Sequence, residues 1–273
     1  MEFTYTREYV GNIKAVIFDW AGTTVDYGCF APAGNFIEVF KRNNVDVSFD
    51  EARAPMGLHK KDHIRVISQM PRVAAQWLEK NGKAVTEEDI ESMFQIFIPL
   101  QLQILPQYSE LIPGVVEVVD ELRDMGIKIG STTGYNTEMM EIVKAEAKKQ
   151  GYAPDCLVCA SEVPAGRPAP YMIYKNAMEL DVYPMEAVVK VGDTTSDIEE
   201  GLNAGAWSVG VVLSSNEMGL THQEIIEMPY EELERRKEIV RKRYLQAGAD
   251  YVIDTLEELP ELIEIISLNM NSY

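Results

Sequence analysis

Asp19, Thr133, Arg167, Asp193 and Asp197 could do chemistry together, because each follows an apolar run that reads as a buried strand. Asp19 follows Ala15 to Phe18, and Trp20, Ala21, Gly22 and Thr23 then turn the chain sharply. Thr133 and Gly134 close the run from Ile127, Arg167 lies in the loop after Leu157 to Ala160, and Asp193 and Asp197 follow Ala187 to Val191. Ligands of open α/β sheets bind at the carboxyl ends of the strands, so parallel strands would bring these side chains together. Two carboxylates from different strands, beside a hydroxyl and a guanidinium, make a hard oxygen site with an anion clamp. Mg²⁺ suits such oxygens and Arg matches a phosphoryl group bidentately, which points to metal-bridged phosphoryl transfer. Asp19 is then nucleophile, metal ligand or both, and either water or Asp19 attacks phosphorus. The amides of Trp20 to Thr23 are candidate donors to the transferring oxygens. Any one of these residues alone reads as a turn or cap residue; the expectation rests on all the positions together.

The elements that must carry these residues follow from the apolar pattern. Residues 1–12 read as a polar lead-in to the first strand. Helical patterns then cover 32–43, a start near Ser48, His59 to Met70, a stretch to about Lys80, and Thr86 past Ile98, with a break at Pro55 to Gly57. A strandless connection of that length is too long for a simple crossover. The expected organisation is an α/β core of residues 1–27 and 105–273, with a helical cap inserted at 28–104. Linkers are expected near Val25 to Ala31 and Pro106 to Pro113. From Pro113 strands and helices alternate, giving about five parallel strands in a doubly wound sheet, with Tyr251 to Ile253 a candidate last strand.

Bulk composition narrows the partners. The chain has 273 residues, 46% hydrophobic, with 44 acidic against 25 basic residues for a net charge of −19. That balance disfavours nucleic acid and anionic membranes, which need a positive footprint. No signal-peptide pattern or bilayer-length apolar run is present, and Cys29, Cys156 and Cys159 form no disulfide framework, so a cytoplasmic location is expected. Cys156 and Cys159 are spaced as a CxxC, yet they lie in a strand-like segment without a second pair and read as core thiols. Met139, Met140, Met172 and Met178 read as core residues of helices.

The strings FDWAGTTVD at 18–26, STTGY at 131–135, AGRPAP at 165–170 and GDTTSD at 192–197 resemble the four motifs of the haloacid dehalogenase superfamily. With PMGLHKKDH at 55–63 they resemble its phosphonatase family more narrowly, over essentially 14–270. The resemblance implies a Rossmann-like core with a small helical cap and hydrolysis of phosphonoacetaldehyde to acetaldehyde and phosphate, within 2-aminoethylphosphonate degradation. It further implies Asp19 as nucleophile, Mg²⁺ on Asp19, the Ala21 carbonyl and Asp193 with Asp197 in support, and Thr133, Gly134 and Arg167 on the phosphoryl group. Lys60 would form a Schiff base with the aldehyde, Cys29 and Tyr135 would hydrogen-bond around the nucleophile, and the protein would be a homodimer.

Ala21 is informative beside that resemblance. Phosphatases of the superfamily carry a second aspartate there to protonate a leaving alkoxide, and alanine cannot do so. A carbon leaving group has less use for that acid. It needs an electron sink, which an iminium on a lysine supplies. On a helix starting near His59, Lys60 shares a face with His63, Ile64 and Ile67, whereas Lys61 and Arg65 point elsewhere. Desolvation under a cap would favour the neutral amine of Lys60. His63 is either a proton relay or a helix histidine bonded to the backbone, and Met56 packs against substrate or fills the cap core. His59 stands where an apolar neighbour of the lysine is expected. A phosphate-ester hydrolase or phosphomutase would want an acid at position 21, a scaffold protein would lack the carboxylates, and a dehalogenase would need no metal.

Overall fold

The computed structural model describes residues 9–271. Residues 1–8 of the expected lead-in lie outside the described residues; Asn12 is tied to Asn271 near the carboxyl end. The sheet has six parallel strands in the order β3-β2-β1-β4-β5-β6. They are β1 (Ala15–Phe18), β2 (Lys128–Thr133), β3 (Cys156–Cys159), β4 (Val188–Gly192), β5 (Trp207–Val211) and β6 (Tyr251–Ile253). Every residue of β1 is fully buried. Val16 and Phe18 join one apolar cluster while Ala15 and Ile17 join another with Ile173 and Val188, so the strand faces a layer on each side. That two-sided burial is why its sequence is continuously apolar rather than alternating.

After β1 the chain builds α1 (Phe30–Lys41), α2 (Phe49–Arg53), α3 (Lys60–Gln69), α4 (Pro71–Asn81) and α5 (Glu87–Ile104) before it returns to β2 through α6 (Val115–Asp124). Capping boxes start two of these helices, Ser48 with Glu51 and Thr86 with Asp89, and Pro71 begins α4 where its missing N–H costs nothing. Phe36, Ile64, Trp77 and Phe97 are buried between the helices, each contributing roughly 2–3 kcal/mol by removal from water. The outgoing and returning linkers run side by side. Val25 bridges Leu111 in antiparallel fashion, Ile112 N donates to Thr24 O (2.9 Å) and Asp26 N to Glu110 O (3.2 Å).

The remaining helices are α7 (Thr137–Lys149), α8 (Tyr171–Glu179), α9 (Thr195–Ala204), α10 (His222–Glu227), α11 (Tyr230–Ala247) and α12 (Leu259–Met270). No described helix is long and apolar enough to cross a membrane. Met139, Met140 and Met172 are buried as expected, whereas Met178 is 73% exposed because it falls on the outer face of α8. Helical periodicity locates a face only when its register against the sheet is known.

Candidate active site

β1 and β4 are neighbours, so Asp19 and Asp193 come off adjacent strand ends. Asp19 N is held by Val191 O (2.9 Å), and the chain then folds into a tight turn in which Thr23, Thr24 and Val25 all donate to Trp20 O. Gly22 N donates to Val25 O (2.7 Å) within the same turn. The amides of Gly22 and Thr23 are therefore turned into the loop, which removes these two from the candidate donors among Trp20 to Thr23. Gly22 has φ +88, and a Cβ there would stand 2.1 Å from Asp193 Oδ2, so only glycine lets the turn cross this carboxylate.

Ligand oxygens of Asp19, Asp193 and Asp197 lie within 4.8 Å of one another, and all three residues are buried. Their surroundings separate them. Asp193 accepts from Asn216 N (2.8 Å) and Thr23 Oγ1 (3.4 Å), and burial followed by the charges of Asp19 and Asp197 pushes it well above the usual carboxylate range. For Asp197 burial acts upward, but Arg167 and Lys190 outweigh it and hold the carboxyl below that range. Asp197 Oδ2 accepts from Thr194 Oγ1 (2.6 Å) in the capping box of α9, and Oδ1 faces Lys190 Nζ (2.8 Å) and Arg167 (3.2 Å). A divalent cation thus fits between Asp193, which has no cationic side-chain partner of its own, and Asp19, one oxygen of which faces Arg167, with Asp197 already neutralised behind them.

Arg167 is 5% exposed and donates to Asp19 Oδ1 (2.6 Å), Thr132 Oγ1 (2.7 Å) and Glu200 Oε2 (2.9 Å). Lys190 and Glu200 were not among the candidates read from sequence. Lys190 lies inside a strand and Glu200 on the inner face of α9, and only the tertiary contact shows that both are buried and paired. Their signal was two charges inside otherwise apolar stretches, which is uncommon unless they are paired.

Asp19, Ala21, Cys29, Met56, Lys60, Thr133, Gly134, Tyr135, Arg167 and Asp193 line one cavity. The free space among them is about 20 Å³, room for roughly one water. The loop before α3 reaches this cavity by close approach to the core. A Cβ on Gly134 would meet Leu58 O at 2.5 Å, and a Cβ on Gly57 would meet Thr194 Oγ1 at 2.5 Å. Ser196 Oγ donates to Met56 O (3.1 Å) and Arg167 to Gly57 O (3.4 Å). Lys60, the first residue of α3, is 5% exposed with Nζ 4.8 Å from the centre of the Tyr135 ring. Burial, opposed by the nearby acidic groups and reinforced by Arg167, lowers its pKa. Lys61 is ion-paired with Glu91 and Arg65 with Asp62 and Glu87, outside the cavity.

Among the neighbours, His63 takes one of its two expected arrangements and the Tyr135 hydroxyl departs from expectation. His63 is fully buried but does not line the cavity: Nε2 meets Ala52 O (2.8 Å) and the ring stacks 3.8 Å from Phe36, the backbone-bonded arrangement rather than a relay. Tyr135 presents its ring to Lys60, while its hydroxyl accepts from Gln101 Nε2 (3.3 Å) on α5 instead of bonding the nucleophile. Gln101 Oε1 in turn accepts from Asn35 Nδ2 (2.8 Å). Cys29 is buried against Met56 and Ala33, and its thiol is pushed up by burial and then by Asp193 and Asp26. Met56 is 4% exposed and Thr133 Oγ1 accepts from Tyr135 N (3.1 Å). His59 caps α3 with its ring 5.6 Å from Phe94, so the aromatic contact takes the place of an apolar neighbour. Cys156 and Cys159 are free thiols on β3, and burial pushes Cys159 up to about 12.

A family model described as a haloacid dehalogenase-like hydrolase matches residues 13–205. The phosphonoacetaldehyde hydrolase of Bacillus cytotoxicus is 56% identical over 255 residues, 93% of this chain and 97% of its own. That of Bacillus cereus is 55% identical over the same shares. A crystal structure of a phosphonoacetaldehyde hydrolase-like protein from Oleispira antarctica superposes with a TM-score of 0.95 at 41% identity, covering 99% of this chain and 98% of that one. A β-phosphoglucomutase from Clostridium difficile, at TM-score 0.66 and 18% identity, covers 94% of this chain and 98% of its own and shares the fold.

Proposed function

The chain belongs to the phosphonoacetaldehyde hydrolases of the haloacid dehalogenase-like hydrolase family, and from that membership we propose that it hydrolyses the carbon-phosphorus bond of phosphonoacetaldehyde, giving acetaldehyde and phosphate. The observation that carries the proposal is that Lys60, from the helices between β1 and β2, and Asp19, from the sheet, line the same cavity. An amine and a carboxylate so placed can hold the two ends of one small molecule that bears an aldehyde and a phosphonyl group. We take residues 28–104 as a cap and residues 1–27 with 105–273 as the core.

In this reading the neutral amine of Lys60 condenses with the aldehyde and releases water. Asp19 attacks phosphorus, and the electrons of the breaking carbon-phosphorus bond pass into the iminium to give an enamine on Lys60. Protonation at carbon and hydrolysis release acetaldehyde and the free amine, and water cleaves the aspartyl phosphate. Arg167, with Thr133 and Gly134, holds the phosphonyl oxygens, and Met56, Cys29 and Tyr135 shape the space around the reacting carbon. His63 acts through packing behind Lys60. Mg²⁺ held by Asp19, Asp193 and the Ala21 carbonyl, with Asp197 in support, would neutralise phosphonyl charge and align phosphorus with the attacking oxygen.

The reading extends to a homodimer in the cytoplasm, acting within 2-aminoethylphosphonate degradation, with neither nucleic acid nor membrane as a partner. Incubating the purified chain and Mg²⁺ with phosphonoacetaldehyde should yield acetaldehyde and phosphate in equal amounts. Phosphate release from simple phosphate esters, with none from phosphonoacetaldehyde, would overturn the proposal.

A further inference from the structure

We propose that Arg53 is a positioning residue that latches the cap over the core and ties that latch to Asp193. The inference rests on the proposed two-part reading of the site. Arg53 is the last residue of α2, remote from the four motifs. Its guanidinium donates to Gly28 O (2.6 Å) in the outgoing linker and to Asn216 O (3.3 Å) and Asn216 Oδ1 (3.1 Å) in the loop after β5. Asn216 Nδ2 returns a bond to Arg53 O (3.3 Å), and the guanidinium lies 4.7 Å from the Phe30 ring centre and 5.6 Å from that of Phe49. One side chain therefore joins the cap, the linker and a core loop.

Asn216 is also the residue whose N–H holds Asp193 Oδ2 (2.8 Å). Displacing Arg53 therefore loosens the loop that fixes one oxygen of the metal-binding pair. About 20 Å³ of free space cannot admit a phosphonate, so the loop carrying Met56 and Gly57, with Lys60 at the start of α3, must lift for substrate to enter. Ser196 and Arg167 grip that loop by single bonds to backbone carbonyls and Gln101 adds one neutral bond to Tyr135, whereas Arg53 and Asn216 form a reciprocal pair of several bonds at the linker. The Arg53 and Asn216 pair is thus the contact that decides how readily the two parts separate.

The test compares the full chain with Arg53→Met, Arg53→Lys and Asn216→Ala by hydrogen exchange of peptides covering 26–31 and 212–219, with and without Mg²⁺ and inorganic phosphate. The wild type gains protection in both segments on adding them. Arg53→Met and Asn216→Ala lose that gain, and Arg53→Lys keeps part of it. With phosphonoacetaldehyde, kcat/KM falls roughly ten- to a hundredfold in Arg53→Met. Should Arg53→Met not fold, Asn216→Ala keeps the backbone bond to Asp193 and reads the same exchange. Wild-type protection gains in the mutants overturn the latch. Absence of wild-type turnover, with the exchange differences intact, sinks the substrate assignment and leaves the latch standing.

Discussion

Arg167 and Asp19 lie 148 residues apart in the chain, yet a guanidinium nitrogen of Arg167 stands 2.6 Å from Asp19 Oδ1. The same guanidinium reaches Thr132 and Glu200, so its plane is fixed on three sides before any substrate arrives. Lysine carries the charge but cannot span those acceptors at once. Arg167→Lys should lower kcat/KM by roughly a hundredfold, since each charged hydrogen bond contributes about 1.5–3 kcal/mol. Steady-state kinetics with phosphonoacetaldehyde check this, and a variant within threefold of wild type would show that only the charge matters.

Borohydride added during turnover should reduce the iminium and label Lys60, located by peptide mass. The lowered pKa of Lys60 has burial as its first cause, so more of the amine is neutral at a given pH than for an ordinary lysine. The trapping rate should therefore rise with pH and level off below the ordinary lysine range. Lys61 is held by Glu91 outside the cavity, and label found there would refute the assignment.

Ala21→Asp restores the acid that an ester hydrolase would use. Position 21 lines the cavity beside Asp19 and Asp193, so another carboxylate raises local repulsion, and a carbon leaving group has no alkoxide to protonate. We expect carbon-phosphorus cleavage to fall or stay level while hydrolysis of simple phosphate esters rises from its low base. A gain in acetaldehyde release would mean that the wild-type reaction lacks a needed proton donor.

The strands and most helices were legible because burial on two faces writes continuous apolar runs and capping boxes mark helix starts. The carboxylates and Arg167 were legible because strand ends converge in any parallel sheet. Lys60 was separable from Lys61 by helical phase, since α3 begins at Lys60, next to the start expected near His59. Glu200, Lys190, Arg53 and Asn216 were not legible, because each acts through a partner on another element. The Tyr135 hydroxyl was misplaced for the same reason: its partner Gln101 sits on α5, and no spacing rule links them.

Mg²⁺ should stabilise the fold, and more so as pH rises. Asp193 sits well above the usual carboxylate range through burial and then the charges of Asp19 and Asp197. In the cation-free fold it holds its proton more tightly than in the unfolded chain, so the stability it contributes declines as pH rises through the folded value. Binding of the cation to the ionised form reverses that loss, and about 2.7 kcal/mol is gained at a hundredfold excess over Kd. Thermal melts with Mg²⁺ or with chelator should diverge with increasing pH for the wild type and not for Asp193→Asn. Equal divergence in both would place the cation elsewhere.

Asp26 gives a second pH signature, at the linker. It has φ 54, accepts from Phe30 N (3.1 Å) and Ala31 N (2.9 Å) at the start of α1, and is 5% exposed. Burial raises its pKa from 3.8 to about 6, with the two amides, Arg53 and Lys60 opposing. The folded protein therefore binds this proton more tightly than the unfolded chain between those values. Stability from Asp26 is greatest below the lower one and declines until the higher is passed, a span of about 3 kcal/mol. Asn removes that titration and, with one oxygen where Asp26 has two, gives up one of the two amide bonds at a cost of roughly 1 kcal/mol. Urea midpoints should thus put Asp26→Asn below wild type at acid pH and close or reverse the gap near neutrality. A gap that stays constant across that range would show that Asp26 is ionised throughout, its charge already met by the α1 amides and Arg53.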